Sequence, residues 1–227
     1  MKIVKPSPIV VNNLDKLLKI SFFLICISKY YNKYNFFPFI FLLFIILLFY
    51  NFHMKKYVPT FLADSIFEIN IEFYIKHNIK YMFIDLDNTL DGPKIPIPSV
   101  KTINLINNLK KNNITPIVFS NNSKKRVKKY CSVLKCEYVS RAFKPFIFKI
   151  KKYCILKNID KKSSIIIGDQ VMTDIFCANN LGIKSILTNR LTTKDQIITI
   201  LNRKIDEHYR KKIIKNKLSK KWGENYV

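Results

Sequence analysis

From Met54 onward, short apolar runs alternate with longer segments in which apolar residues recur at helical spacing. Tyr81–Asp85, Thr115–Ser120, Glu137–Ser140, Ser164–Ile167 and Lys184–Leu187 read as strands. Between them the pattern predicts helices from Ser99 to about Asn112, Ser123 to about Leu134, Phe146 to Leu156 and Val171 to about Asn180. Ser99 and Ser123 stand as N-caps, and Gly182 as a C-terminal stop. A long basic helix is expected over Lys194–Leu218. Strand alternating with helix defines an α/β protein: a three-layer parallel sheet with helices on both faces. No internal repeat is visible.

Residues 1–53 differ in character. Every residue from Phe36 to Tyr50 is apolar or aromatic except Pro38, and these fifteen residues fall short of the ~20 that span a bilayer. Six lysines precede the run, and Lys55 and Lys56 follow it. That bias would keep the N-terminus inside and place the rest of the chain outside, in conflict with a chain of reduced cysteines. Two readings stand for this hydrophobic N-terminal extension: a membrane anchor, or upstream sequence translated ahead of a start at Met54. The expected organisation is thus 1–53 extension, 54–218 folded domain and 219–227 tail.

Charge narrows the partners. Forty Lys and Arg against fifteen Asp and Glu give +25 over 227 residues. Such a balance suits an anionic partner: nucleic acid, a lipid head-group surface or a phosphorylated substrate. A compositional source fits as well, since Lys, Asn, Ile, Phe and Tyr are all abundant. The five cysteines are scattered, without a CxxC or a neighbouring His, and read as reduced, buried thiols. Cytoplasmic placement follows, with association at the inner face of the membrane as an extension of it. The three histidines form no constellation.

The candidate chemistry lies where strands end. Asp85 and Asp87 close the first strand; on an extended chain alternate residues face one way, and two facing carboxylates call for a hard cation such as Mg²⁺. Ser120 ends the second strand in VFSNN, where its hydroxyl and the following amides suit a phosphate oxygen. Lys144 stands in AFKP after the third strand, and Asp169 and Asp174 in GDQVMTD after the fourth. Ligands of open parallel sheets bind beyond the carboxyl ends of the strands, and all four groups fall there in order.

This set resembles the four motifs of the haloacid dehalogenase-like (HAD) phosphatases. It is most similar to the YqeG-type phosphatases of subfamily IIIA, related to mitochondrial phosphatidylglycerophosphatase, through IDLDNTL, SNN, KP, GDQ-x-x-TD and LNRKI. The resemblance covers roughly Met54–Leu218. It implies that Asp85 attacks phosphorus and that Asp87 serves as acid and then base. Ser120 and Lys144 would neutralise the phosphoryl oxygens. Mg²⁺ would sit among Asp85, Asp87 (through its carbonyl), Asp169 and Asp174. Thr89 would shape the loop. Asp91-Gly92-Pro93 departs from the pattern, since an aromatic is usual there.

Between Asp85 and Ser120 lie 34 residues, and between Ser120 and Lys144 lie 23, room for one helix in each interval and no cap domain. An uncapped site suits a bulky phosphomonoester such as a lipid head group. At the C-terminus Ile197, Leu201, Ile205, Tyr209 and Ile213 form an apolar stripe, with nine Lys or Arg against two acids between Arg203 and Lys221. Such a helix either packs on the sheet or lies on anionic lipid. Three functions stay open: a lipid phosphatase acting on phosphatidylglycerophosphate, a soluble phosphatase for nucleotides, sugars or a phosphoprotein, and a basic RNA- or ribosome-binding module. Filled catalytic positions and the lack of an RNA-binding motif weigh against the last.

Overall fold

A computed structural model describes residues 54–93, 95–192 and 200–224, with only the backbone of 200–205. The apolar run Phe36–Tyr50 and the start of the expected C-terminal helix lie outside the described residues. The account below concerns the unit Lys55–Val227.

Among the described residues seven parallel strands form one sheet: β1 (Phe61–Leu62), β2 (Tyr81–Ile84), β3 (Thr115–Phe119), β4 (Glu137–Val139), β5 (Ser164–Gly168), β6 (Lys184–Leu187) and β7 (Lys220–Lys221). Their order across the sheet is β4-β3-β2-β5-β6-β1-β7. The helices are α1 (Ile71–Lys76), α2 (Val100–Lys111), α3 (Lys124–Leu134), α4 (Phe148–Leu156), α5 (Phe176–Leu181) and α6 (Ile200–Lys215). This is the α/β architecture that the pattern predicts, a parallel sheet with helices on both faces. Among the described residues only α2 fills the β2–β3 connection and only α3 the β3–β4 connection, so no cap is inserted at either point.

The layers follow from the two-residue period of the strands. Met82, Ile84, Val118, Ile165 and Ile167 point to one face, where Phe73 of α1, Ile106 and Leu109 of α2, and Val127 and Tyr130 of α3 cover them. Phe83, Ile117, Phe119 and Ile166 point to the other, against Ile150 and Cys154 of α4 and Cys177 and Ala178 of α5. Because both faces are covered, the central strands are apolar over most of their length, with Thr115 and Ser164 at the start of β3 and β5 as the polar exceptions. Full burial of one such side chain stabilises the fold by roughly 1.5–3 kcal/mol.

Local signals set the boundaries. The Ser99 hydroxyl accepts from the Thr102 N–H and the Ser123 hydroxyl from the Arg126 N–H, as N-caps do. Gly182 takes φ +71 at the end of α5. Pro116 is tolerated inside β3 because the preceding Thr115 N–H bonds toward β2, so Pro116 faces the other side, where β4 starts pairing only at Ile117. The segment expected as one helix from Val171 opens as a π-helical turn over Val171–Ile175 before α5 begins.

Two edges escape a reading by pattern. Phe61–Leu62 pairs with β6 on one side and with Lys220–Lys221 on the other. The segment expected as a tail therefore contributes the outermost strand. On α6, Ile213 is fully buried with Tyr57, Val171, Ile175 and Leu187, and Tyr209 packs on the same cluster. This end of the apolar stripe covers the sheet. Cys131, Cys136, Cys154 and Cys177 are free thiols. No helix among the described residues is long and apolar enough to cross a membrane.

Candidate active site

Asp85 follows β2, Ser120 follows β3, Lys144 lies in the loop after β4, and Asp169 follows β5; Asp174 sits in the π turn behind it. Carboxylate oxygens of Asp85, Asp169 and Asp174 lie within 4.8 Å of one another, and all three residues are buried. The Lys144 ammonium reaches across the ends of three strands. It donates to Asp85 Oδ1 at 2.5 Å, Asp174 Oδ1 at 2.6 Å and the Phe119 carbonyl at 2.9 Å. Its three N–H donors thus all find an acceptor.

Electrostatics follow from three carboxylates sharing one ammonium. Burial pushes the Asp85 carboxyl well above the usual carboxylate range; Lys144 opposes this, and Asp174 and Asp169 add to it. Burial also works against the Lys144 charge, but Asp174 and Asp85 outweigh it and hold the lysine above its ordinary value. With all groups ionised the cluster carries two net negative charges, which fits a divalent cation. Its donors are all oxygen, as hard cations prefer.

A second network surrounds Asp87. Its carboxylate accepts two bonds from Arg126, at 2.6 and 2.9 Å, and one from Asn122 Nδ2 at 2.7 Å. Asn122 Nδ2 also donates to the Ser120 hydroxyl at 2.9 Å, and the Asn122 backbone N–H donates to it at 3.2 Å. Asn121 brackets the Lys144 backbone, donating to its carbonyl at 3.1 Å and accepting from its N–H at 2.7 Å. In SNN the serine faces the site, the first Asn fixes the lysine loop, and the second ties Ser120 to Asp87.

The alternation argument for Asp85 and Asp87 stops where the strand does, at Ile84. Beyond it the chain turns: Asp87 bridges to Asp91, and Asn88 takes φ +67. The Asp87 carboxylate is therefore held by Arg126 and Asn122, apart from the Asp85–Asp169–Asp174 group. Arg126 and both asparagines were missed as site residues. One signal did exist. Lys124, Lys125 and Arg126 occupy the first turn of α3, where the helix dipole disfavours cations. An arginine there calls for an anionic partner, and Asp87 is that partner.

The unusual Asp91 is explained by its surroundings. Its carboxylate accepts from the Ser99 N–H, the Thr102 hydroxyl and the Tyr130 hydroxyl, at 3.1, 3.1 and 2.5 Å. It turns inward and ties the motif loop to α2 and α3. Asn88 accepts from the Thr192 N–H and hydroxyl, joining the same loop to the segment after β6. Thr89 is buried. Arg210 of α6 donates to the carbonyls of Asp169 and Thr188 at 2.6 and 2.9 Å, so α6 fastens the ends of β5 and β6. A cleft of about 220 Å³ opens beside Asp169, lined by Asn189, Arg190, Asp206, Glu207 and Arg210.

Residues 140–205 match the family described as HAD-hyrolase-like. The chain is 29% identical over 152 residues to the probable phosphatase YqeG of Bacillus subtilis (strain 168), covering 67% of this chain and 88% of the relative. Among solved structures it is similar to the 3-deoxy-D-manno-octulosonate 8-phosphate phosphatase of Moraxella catarrhalis, in complex with magnesium, phosphate and KDO. That match has 16% identity, TM-score 0.39, and covers 64% of this chain and 98% of the other. A cobalt-bound deoxy-D-mannose-octulosonate 8-phosphate phosphatase from Haemophilus influenzae gives 15% identity, TM-score 0.40, and 50% and 80% coverage. Residues 140–205 thus resemble the haloacid dehalogenase-like hydrolases, and over 152 residues the chain is similar to a YqeG-type phosphatase.

Proposed function

We propose that the chain is a Mg²⁺-dependent phosphomonoester hydrolase working through an aspartyl-phosphate on Asp85, with a phosphorylated lipid head group such as phosphatidylglycerophosphate as substrate. One observation supports the chemistry above all: Lys144 joins Asp85 and Asp174 in a buried acidic group at the sheet's carboxyl end.

Asp85 attacks phosphorus, and the bond to the alcohol oxygen breaks. Asp87 gives that oxygen its proton, then takes one from the water that hydrolyses the acyl phosphate. Lys144 and the Ser120 hydroxyl neutralise charge on the phosphoryl oxygens. Asp85, Asp169 and Asp174 fit Mg²⁺, joined by the Asp87 carbonyl; bound there, it would offset the negative charge gathered around phosphorus. Arg126 and Asn122 orient Asp87.

The substrate class rests on access and charge. With no cap at the two connections above, a head group presented at a surface can reach Asp85, and a chain of +25 gathers at anionic lipid. The test is phosphate release by the full chain in detergent, from phosphatidylglycerophosphate in mixed micelles and from a panel of soluble monoesters. Chelation should stop turnover and Mg²⁺ restore it, with the lipid preferred. Full activity after exhaustive chelation would rule out the metal role, and a preferred soluble ester would replace the lipid.

The role of Arg126 has its own test. Arg126→Gln removes a bidentate, charge-assisted pair from Asp87, and such bonds contribute about 1.5–3 kcal/mol. At 1.36 kcal/mol per decade, kcat should fall roughly tenfold or more. KM should stay near its parent value, because Arg126 holds Asp87 and not substrate. A rise in KM at constant kcat would instead place Arg126 on the phosphate.

A further inference from the structure

Among the described residues, seven of the exposed large apolar ones lie in the segments that leave the carboxyl ends of β2, β4 and β6, the side of the sheet that carries the site. The densest group surrounds Lys144. Phe143, Phe146 and Phe148 are 51%, 66% and 56% exposed. Phe143 and Phe148 stack at 5.8 Å between ring centroids, and Phe146 lies 6.4 Å from Phe148. Isolated exposed apolar residues are ordinary; three adjoining rings are not.

The backbone reinforces the point. Phe143 takes φ +58, a left-handed conformation unfavourable for a bulky residue. That conformation stands one residue before the buried Lys144, so one tight turn sends the lysine in while the ring stays exposed. Across β3 a second exposed group leaves β2: Ile95, Ile97 and Val100. In the sheet β3 lies between β2 and β4, and Ser120 follows it, so the connections that carry the two groups leave strands on either side of Ser120.

Charge selects the partner. Neither 92–101 nor 140–156 contains an acidic residue, while Arg141, Lys149, Lys151 and Lys152 accompany the phenylalanines. Lys149 lies 4.9 Å from the Phe143 ring centroid. Exposed rings with cations and without acids suit the boundary of an anionic bilayer, where apolar groups enter the acyl region and cations meet head groups.

We propose that Phe143, Phe146 and Phe148, with Ile95, Ile97 and Val100 opposite, form a rim that seats the mouth of the active site on an anionic lipid bilayer. The proposal rests on the lipid-phosphatase reading of the site and adds the orientation in which the enzyme meets its substrate. A planar partner touches both groups at once, and a head group entering between them arrives beside Asp85 and Lys144.

The test places a reporter on the rim of the full chain. Phe146→Trp is made in a Trp222→Phe background, which removes the single native tryptophan. Vesicles of phosphatidylcholine, with and without phosphatidylglycerol, carry brominated acyl chains. Emission should shift to the blue and lose at least half its intensity on anionic vesicles, with little change on neutral ones. Vesicle binding without quenching would overturn the proposal, because another part of the chain would then be holding the membrane. Emission already blue-shifted before vesicles are added, and unchanged by them, would also overturn it, since the rim would then be covered by the chain itself or a second copy. Phosphate release from a soluble monoester is read on the same samples. Quenching without turnover would retain the rim and sink the catalytic reading, whereas turnover without quenching would do the reverse.

Discussion

Asp85→Asn is expected to lower phosphate release by on the order of 10⁴-fold or more while the protein stays folded. At 1.36 kcal/mol per decade, that is about 5.4 kcal/mol of transition-state stabilisation. Asparagine keeps the shape and one acceptor oxygen, so the Lys144 ammonium can still donate at this position. It cannot form an acyl phosphate, and it removes one negative charge from the group that fits Mg²⁺. The effect on stability has the opposite sign. Burial raises the Asp85 carboxyl, so its ionised form is disfavoured in the folded protein. A group raised in this way contributes stability below its unfolded value and loses it as pH rises through the folded value. At neutral pH without Mg²⁺ the asparagine protein should therefore melt at or above the parent temperature. Substantial turnover by a folded Asp85→Asn protein would remove Asp85 from the nucleophile's role. Lost activity with a much lower melting temperature would show only a damaged fold.

What could be read in advance depended on whether the deciding interaction was local. The apolar runs of β2, β3 and β5 announce themselves because strands covered on both faces have no polar side. Ser99 and Ser123 were legible as caps because a cap bonds within three residues. The four strand-end groups were legible because a parallel sheet sends its loops to one end in sequence order. By contrast, Phe61–Leu62 and Lys220–Lys221 are two-residue strands separated by 157 positions in the chain, too short to show a period. Lys-Lys is also unpromising as a strand until its edge position, open to water, is known.

Arg126 shows the same limit within the site. It lies 39 residues from Asp87 and reaches it only because α3 starts beside β2 in the folded sheet. In the sequence Asp91 stands only as a departure from the pattern of the similar phosphatases. In the fold it anchors Ser99, Thr102 and Tyr130, and burial, then the Asp91 bond, keeps that tyrosine well above its ordinary pKa. The side chain facing Asp87 was not foreseeable from alternation, because alternation holds only where the chain is extended. In each case the sequence carried the residue type, and the third dimension supplied its partner.

Gly168→Ala should be nearly as damaging as a change in the site itself, although it adds one methyl group. Gly168 ends β5 and lies directly behind Asp174. A Cβ built there falls 2.3 Å from both Cγ and Oδ2 of Asp174 and 2.6 Å from its Cβ. Asp174 has little freedom to retreat. Its Oδ1 accepts from Lys144, its Oδ2 from the Gln170 N–H, and its own N–H donates to the Gln170 carbonyl within the π turn. Either Asp174 swings away and Lys144 loses an acceptor, or β5 shifts and moves Asp169 with it. A displacement of about 1 Å at reacting groups lowers rates by on the order of 10²-fold, and overpacking costs about 1–3 kcal/mol of stability. Gly223→Ala is the matched control: a Cβ there meets nothing within 4 Å, so stability should stay within about 0.5 kcal/mol. Thermal melting and Mg²⁺-dependent phosphate release on both proteins decide the matter. If Gly168→Ala behaves like Gly223→Ala in both measurements, Asp174 does not occupy the position behind β5 on which the proposed metal site and the Lys144 pairing depend.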